Sequence, residues 1–468
     1  MPGRILLISA NRCDFPYPVF PLGLAMVDTA LRQAGHETRW LDCQTGTETL
    51  EQALGAFEPD FIGLSLRNID DVVFRRRETY FDAFVKLCRA ARQKTHCPIV
   101  VGGSGFSLFP EQLLELSGAD FGIVGEGESS LVSLVAALES KADPTAVPGL
   151  VFRREGGIAV NPRRAAAWDG SSGSPRRLDG AVEYYLRASS MLNVQTQRGC
   201  AFDCCYCTYP TLEGRRQRRR PPESIADEFE ELQRLGTRYA FVVDSVFNSS
   251  PSHVVETCEA ILRRGVKLAW GCFLRPEGLD AEQMRLMRRA GLTHIEFGSD
   301  SFCDPVLAAY GKRFTFDDIC QANELARAER IDCCHYLICG GPAETEQTLR
   351  TSFRNSQRLN GAVILATVGM RIYPGTPLFE RAVATDFTKA SANLLAPAYF
   401  LAPDLTAEAV FTLLEEFARL SPNWIVGDPP PDYSRLVERL RQRGVVGPLW
   451  SYFATMQRIR PRLAAAIR

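Results

Sequence analysis

Met191-Leu192-Asn193-Val194-Gln195-Thr196-Gln197-Arg198-Gly199-Cys200-Ala201-Phe202-Asp203-Cys204-Cys205-Tyr206-Cys207 joins a short strand-like run, residues 192–195, to a loop with the spacing C-x3-C-x2-C. Scattering 15 cysteines at random over 468 positions would give that spacing about 0.015 times per chain, so chance is a weak explanation. Three thiolates on one short loop can ligate three corners of an iron–sulfur cube and leave the fourth iron open, because soft sulfur ligands select iron–sulfur or zinc. A closed zinc site takes four ligands, usually as two separated pairs, and no second C-x2-C pair is present. Zinc therefore stays as the lesser alternative.

Downstream of the loop, strands are expected over residues 239–243, 268–270, 294–297, 334–338 and 366–372, separated by helical sequence such as 225–235 and 281–290. Six strand–helix units that never return antiparallel describe a partial or full α/β barrel, (β/α)6 if partial, with chemistry on the loops after the strands. Upstream, residues 5–10, 38–41, 61–66, 98–102 and 121–124 alternate with helical stretches such as 22–34 and 80–91. That pattern is a doubly wound, flavodoxin- or Rossmann-like unit whose ligand lies beyond the carboxyl ends of the strands. Four of these strands exit into small or polar residues: Asn11-Arg12-Cys13-Asp14, Arg67-Asn68, Gly102-Gly103-Ser104-Gly105 and Gly125-Glu126-Gly127-Glu128. Together they point to a planar or nucleotide-like cofactor. Residues 141–189 read as a connector with one hairpin over 150–153 and 158–160. Past about residue 387 only helices are expected, over 406–420, 433–444 and 449–466, with Arg458, Arg460, Arg462 and Arg468 on a solvated face. The fold class is thus α/β, divided as 1–140, 141–189, 190–386 and a small helical domain 387–468.

Composition narrows the partners. With 54 Lys+Arg against 55 Asp+Glu, the net charge of −1 argues against coating nucleic acid or an anionic membrane. No run of about 18 apolar residues occurs, so no membrane span is expected, while 46% hydrophobic residues with 27 Phe exclude dominant disorder. The apolar run at residues 5–8 is too short for a secretory signal, and an odd 15 cysteines favours a reducing, cytoplasmic setting. The expected partner is a small-molecule substrate.

The cysteine loop resembles the radical S-adenosylmethionine (SAM) superfamily, whose hallmark is C-x3-C-x-aromatic-C after the first barrel strand; Cys200, Cys204 and Cys207 fill the three positions and Tyr206 the aromatic one. The resemblance implies a [4Fe–4S] cluster on these three cysteines, with Cys205 a non-ligand. It also implies that SAM is bound at the open iron and cleaved to a 5′-deoxyadenosyl radical. By the same resemblance Asp244 replaces a Gly-Gly-Glu-type contact to the SAM amino group, and Arg275 pairs with the SAM carboxylate. Glu296 and Ser299-Asp300 would meet ribose hydroxyls, and Gly340 and Gly341, in Leu337-Ile338-Cys339-Gly340-Gly341-Pro342-Ala343-Glu344, would lie near the adenine. The first domain resembles that of the cobalamin-dependent class, with Ser65, Arg67, Asn68, Gly102, Gly103, Ser104, Gly125, Glu126 and Gly127 in the corrin-facing loops. One departure is plain: the Asp-x-His-x-x-Gly element that donates a histidine to cobalt in mutases is absent, and none of His36, His96, His253, His294 or His335 has such a setting. The expectation is cobalamin without a protein histidine. Arg67 would then lie under the metal, where a permanently protonated guanidinium cannot coordinate, unless it pairs with Asp70 or Asp71.

The activity this resemblance implies is methylation of an unactivated carbon from methylcobalamin, with one SAM as methyl source, a second as radical source, and an electron donor such as flavodoxin or ferredoxin. A radical rearrangement or oxidative cyclisation without methyl transfer is the alternative. More distant are a methylthiotransferase-like enzyme using Cys13, Cys43, Cys88 and Cys97 for a second cluster, and a zinc-stabilised binding protein. The run Arg215-Arg216-Gln217-Arg218-Arg219-Arg220 is a solvated turn or an anion clamp, and substrate contacts are expected from Tyr209, Phe247, Tyr336, Arg371 and Tyr399.

Overall fold

The computed structural model describes residues 3–164, 168, 174–384, 393–427 and 433–452. The arginines expected on the terminal helix, and most of 449–466, lie outside them. The chain forms two compact units: Met1–Asp71, Glu78–Ala188 and Tyr209–Arg218 make the first, and Val72–Arg77, Ser189–Thr208 and Arg219–Arg468 the second.

In the first unit, strands β1 (Arg4–Ser9), β2 (Glu37–Asp42), β3 (Phe61–Ser65), β4 (Ile99–Gly102), β5 (Phe121–Ile123), β6 (Leu150–Arg154) and β7 (Gly157–Val160) form one sheet in the order β2-β1-β3-β4-β5-β6-β7. The first five are parallel. Ile5, Leu6, Leu7 and Ile8 are all buried, as a strand covered on both faces requires. Helices cover the sheet, among them Leu50–Phe57, which opens on a reciprocal cap between Thr49 and Gln52. The hairpin expected inside a connector is built into this sheet instead: β6 pairs antiparallel with β5, and β7 with β6. Its isolation was assumed from flanking Pro and Gly, which mark the turns but say nothing of what the hairpin pairs with.

The second unit carries β8 (Leu192–Val194), short strands β9 (Gln197–Arg198) and β10 (Arg218–Arg219), then β11 (Tyr239–Val242), β12 (Ala269–Leu274), β13 (Leu292–Asp300), β14 (Asp332–Cys339), β15 (Val363–Val368), β16 (Met370–Arg371), β17 (Tyr399–Phe400) and β18 (Trp424–Val426). Its main sheet is parallel throughout, in the order β18-β15-β14-β13-β12-β11-β8. Sequence order is kept from β8 to β15, which is the curl of a partial barrel. Residues on one face, Leu337, Cys339, Ile364, Ala366 and Val368, pack with the outer helices in a large apolar core. On the other face Cys334, Val363 and Trp450 cluster with Tyr336, Leu365 and Ile425. Strands do not vanish after residue 387: β17 pairs antiparallel with β16, and β18 adds a seventh strand beside β15. Both are too short for a period-2 pattern to register in the sequence.

Candidate functional site

The cysteine loop leaves β8 at the carboxyl edge of the second sheet. Cys200 is buried, Cys204 and Cys207 are half-buried, and the Cys207 N–H donates to the Cys204 carbonyl at 3.1 Å. Cys205 differs from its neighbours. It is 7% exposed, its Sγ lies 3.9 Å from the Met370 sulfur, its N–H donates to Tyr310 O and its carbonyl accepts from Leu378 N, both at 2.9 Å. The chain around Tyr310 holds this loop. Gly311, at φ +78°, brings its backbone so close that an added Cβ would stand 2.3 Å from the Asp203 carbonyl, and Arg313 pairs with Asp203 at 2.8 Å. The Tyr206 hydroxyl donates to Asp300, which also pairs with Lys312, whose Nζ reaches the Gly298 carbonyl at 3.2 Å. Among the described residues no three His, Cys, Asp or Glu side chains converge as a single ion demands. A cube takes each thiolate on a separate iron, and the soft donor set of Cys200, Cys204 and Cys207 fits it.

Around this loop the structure sorts the expected SAM residues. Arg275, 5% exposed, donates through Nε to Glu277 at 2.8 Å and stacks 3.7 Å over Phe202, and its Nη2 is buried without a partner. A buried, unsatisfied guanidinium nitrogen beside the cysteine loop fits a ligand carboxylate. Asp244 is committed elsewhere: it accepts from Thr196 N at 2.7 Å, from Gln197 N at 3.2 Å and from the Thr196 hydroxyl, fixing the exit of β8. Glu296 sits deep on the inner face of β13, 4% exposed, accepting from Tyr336 OH at 3.0 Å and Trp450 Nε1 at 3.1 Å. Burial pushes its carboxyl to about 7. Ser299 lies on the opposite face of β13, bonded to His335 Nδ1 at 2.8 Å, because alternate strand residues point to opposite sides. The N–H groups of Gly340 and Gly341 both donate to Glu344, which Tyr310 OH also reaches at 3.0 Å. These glycines therefore have no N–H to spare for an adenine.

In the first unit the expected corrin loops share one edge. Leu66 N donates to Gly102 O, Gly105 N to Leu66 O, and Ser104 Oγ to Arg67 O, binding the exits of β3 and β4 together. Gly103, at φ +98°, is required there: an added Cβ would stand 2.5 Å from Leu66 O and 2.8 Å from Ser65 Oγ. Arg67 donates to Asn68 Oδ1 at 2.7 Å and Val19 O at 3.5 Å and forms no ion pair among the described residues. Burial lowers its pKa against the opposing influence of Cys13 and Tyr185. Asn11 Oδ1, at the β1 exit, is buried without a partner, so this edge suits a ligand that donates hydrogen bonds. Gly125 N is bonded to Ser107 Oγ at 2.9 Å, Gly127 precedes the helix Glu128–Glu139, and Glu126 is held in a two-pronged pair with Arg218. Glu126 and Arg218 are therefore spent on each other, and Arg220 is likewise buried against Glu228.

Other expectations fall away. Cys88 is fully buried within the helix Phe81–Lys94, so it does not join a second cluster. Phe247 is buried against Trp270 and His253, and Arg371 bonds the carbonyls of Ile372 and Leu394. Tyr399 packs on Phe74. Tyr336 alone of the set named for the second unit lines the inner face. The sequence shows no sign of Lys312, Tyr310 or Trp450, marks Asn11 only as part of a strand exit, and assigns Glu344 no role. Each acts through tertiary contacts that no local motif records.

Residues 9–135 match the family model of the B12 binding domain, and residues 194–354 that of the Radical SAM superfamily. The chain is 26% identical to a tryptophan 2-C-methyltransferase of Streptomyces laurentii, over 80% of this chain and 73% of that one. Its fold matches the solved radical SAM methyltransferase TsrM of Kitasatospora setae, with cobalamin and [4Fe–4S] cluster bound, at TM-score 0.87 and 22% identity, covering 100% of both chains. A second structure of that enzyme, with tryptophan substrate and a SAM analog, matches at TM-score 0.86 and 23% identity, over 99% of this chain and 100% of the other. At that identity the structural likeness establishes the fold. With both domains present in this order, the chain belongs to the radical SAM enzymes that carry a cobalamin-binding domain.

Proposed function

We propose that the chain methylates an unactivated carbon of a small-molecule substrate, using a [4Fe–4S] cluster, SAM and cobalamin. When bound, these groups supply an electron and an open iron for cleaving SAM, and a cobalt that accepts a methyl group and passes it on. The observation that carries the reading is the pair of family matches, joined with a relative named as a C-methyltransferase over most of both chains.

The chain's own residues then divide the work. Cys200, Cys204 and Cys207 hold the cluster, while Cys205 turns into the protein and fixes the loop to Tyr310 and Leu378. Tyr206, Asp300 and Lys312 form a hydrogen-bonded chain that holds the loop against the end of β13. Arg275 offers its unpaired Nη2 to the SAM carboxylate. Asp244 and Glu344 are positioning residues, the first for the β8 exit and the second for the Gly340-Gly341 turn. In the first unit Ser65, Arg67, Asn68, Gly102, Gly103 and Ser104 would hold the corrin, and Arg67, a permanently protonated guanidinium, would add a positive charge there without being able to coordinate cobalt. Residues 1–140 together with the β6–β7 hairpin would then serve cobalamin, and 190–386 the radical chemistry. All fifteen cysteines are free, and the electron would come from a donor such as a flavodoxin or ferredoxin. No helix among the described residues is long and apolar enough to cross a membrane.

The test needs no knowledge of the substrate. Anaerobic protein carrying its cluster and hydroxocobalamin is incubated with SAM and titanium(III) citrate. The expected result is one S-adenosylhomocysteine per cobalamin. Release of 5′-deoxyadenosine with no S-adenosylhomocysteine would instead assign the chain to rearrangement or oxidative cyclisation.

A further inference from the structure

Among the described residues, the inner face of the second unit's sheet is only partly covered. Phe273 on β12, Gly298 on β13, Tyr336 and Ile338 on β14 and Leu365 on β15 remain half-exposed, and Thr367 is exposed, although their strands lie inside a sheet covered by helices on its other face. At Gly298 an added Cβ would meet nothing within 4 Å, so the strand is open between Glu296 below and Asp300 above. Those two carboxylates are four residues apart on β13, whose regular alternation is interrupted by a register shift between Phe297 and Asp300. The upper one belongs to the Tyr206–Lys312 chain at the cysteine loop. The lower one rests against Trp450, which packs edge-on to His294 at 5.5 Å and closes the floor with Cys334 and Val363.

Glu296 is the polar feature of this floor. Trp450 Nε1 can only donate and Tyr336 OH donates too, so both oxygens are addressed as a carboxylate's would be, with further acceptor capacity left. No Lys or Arg among the described residues pairs with it, and burial alone opposes its ionisation. Buried carboxylates are ordinarily paired with a cation. Here the wall beside it is apolar and aromatic, and Gly298 leaves room on the strand two residues away.

We propose that this chamber is the substrate site, and that it takes a flat, largely apolar molecule carrying a protonated amine whose counter-charge is Glu296. The inference deepens the methyltransferase reading and rests on it for the reaction, but the recognition can be measured alone. Gly298 sets the room for the ligand body and Glu296 reads its charged end.

The test uses three indoles of similar shape and different charge: tryptamine as cation, tryptophol as neutral alcohol and indole-3-acetate as anion. Their affinities for the anaerobic, cluster- and cobalamin-loaded chain are measured by titration calorimetry. Tryptamine should bind about tenfold or more tighter than tryptophol, and indole-3-acetate weakest, as a charge-assisted hydrogen bond to a buried carboxylate requires. Glu296→Gln should abolish the preference for the amine. Gly298→Leu should abolish binding of all three. Equal binding of tryptamine and tryptophol to the unaltered chain, no binding of tryptamine, a preference that survives in Glu296→Gln, or unchanged binding in Gly298→Leu would each overturn the proposal. The unaltered chain alone can refute it, so a misfolded variant does not shield it. If the S-adenosylhomocysteine assay fails while tryptamine binds as described, the methyltransferase reading falls and the recognition site stands.

Discussion

Replacing Glu344 by Gln should make the second unit's stability less dependent on pH, in a direction its surroundings dictate. The carboxylate is 3% exposed and accepts from two backbone N–H groups and the Tyr310 hydroxyl, with no cation beside it. Burial outweighs those hydrogen bonds and raises the carboxyl from its ordinary 4.5 to about 7. A folded state that holds its proton more tightly than the unfolded chain gains stability that is complete below pH 4.5 and is lost as pH rises through about 7. The full difference is about 3 kcal/mol, of which about 2.5 kcal/mol falls between pH 5 and pH 8. Glutamine keeps the acceptor oxygen and has no proton to lose. The advantage of Glu344→Gln over the unaltered chain should therefore grow by about 2.5 kcal/mol from pH 5 to pH 8, whatever its sign at pH 5. Urea unfolding followed by tryptophan fluorescence at the two pH values measures it, since Trp270, Trp424 and Trp450 all lie in this unit. Glu296 also titrates near 7 but is common to both proteins, so its contribution cancels. A difference that stays constant between the two pH values within about 0.5 kcal/mol, or that grows toward pH 5, would show that Glu344 is not held as described.

Three further outcomes are expected. Alanine at any of Cys200, Cys204 or Cys207 should remove the brown cluster absorption and all SAM cleavage, whereas Cys205→Ala should keep both; loss of the cluster in Cys205→Ala would show the ligand assignment to be wrong. The Co(II) form of the bound cobalamin should be base-off and histidine-off, so its electron paramagnetic resonance spectrum should lack nitrogen superhyperfine splitting from an axial ligand; such splitting would contradict a non-coordinating Arg67. Gly103→Ala should cost the first unit roughly 2 kcal/mol, from a left-handed backbone and a Cβ forced onto Leu66 O, and should weaken cobalamin retention on gel filtration; an unchanged urea midpoint would refute the close approach.

The sequence carried the fold because its signals were periodic and local. Residues such as Ile5–Ile8 and the strands after Cys207 announce a buried parallel sheet in any context, and three cysteines on one loop announce soft-ligand chemistry. The site was legible only where a side chain meets its ligand within a motif. Arg275 stands out by its place after β12, and its Nη2 is buried without a partner. Asp244, Ser299 and Glu296 were placed by analogy with loop positions, yet which way each points depends on strand phase and on partners distant in sequence. Thr196 claims Asp244 from 48 residues away, and Trp450 reaches Glu296 from 154. A three-residue strand such as β18 has too few residues to show alternation and is decided by the edge it finds.

The hairpin of β6 and β7 has a consequence for where the chain can be cut. Without it the first sheet would end on β5, a three-residue strand whose outward backbone groups pair with Leu150, Val151 and Phe152. Arg153 extends the attachment, donating to the carbonyls of Ala119 at 2.5 Å and Leu114 at 2.9 Å. A fragment stopped at residue 140 would leave those groups unmet on a bare strand, the kind of template that recruits another chain. One carried through Val160 replaces that rim with β7, paired to Arg153 and Arg154 of β6 beyond a turn that bears Glu155, and this charged rim resists such recruitment. The smallest soluble cobalamin-binding fragment should thus reach past the hairpin, and shorter ones should aggregate.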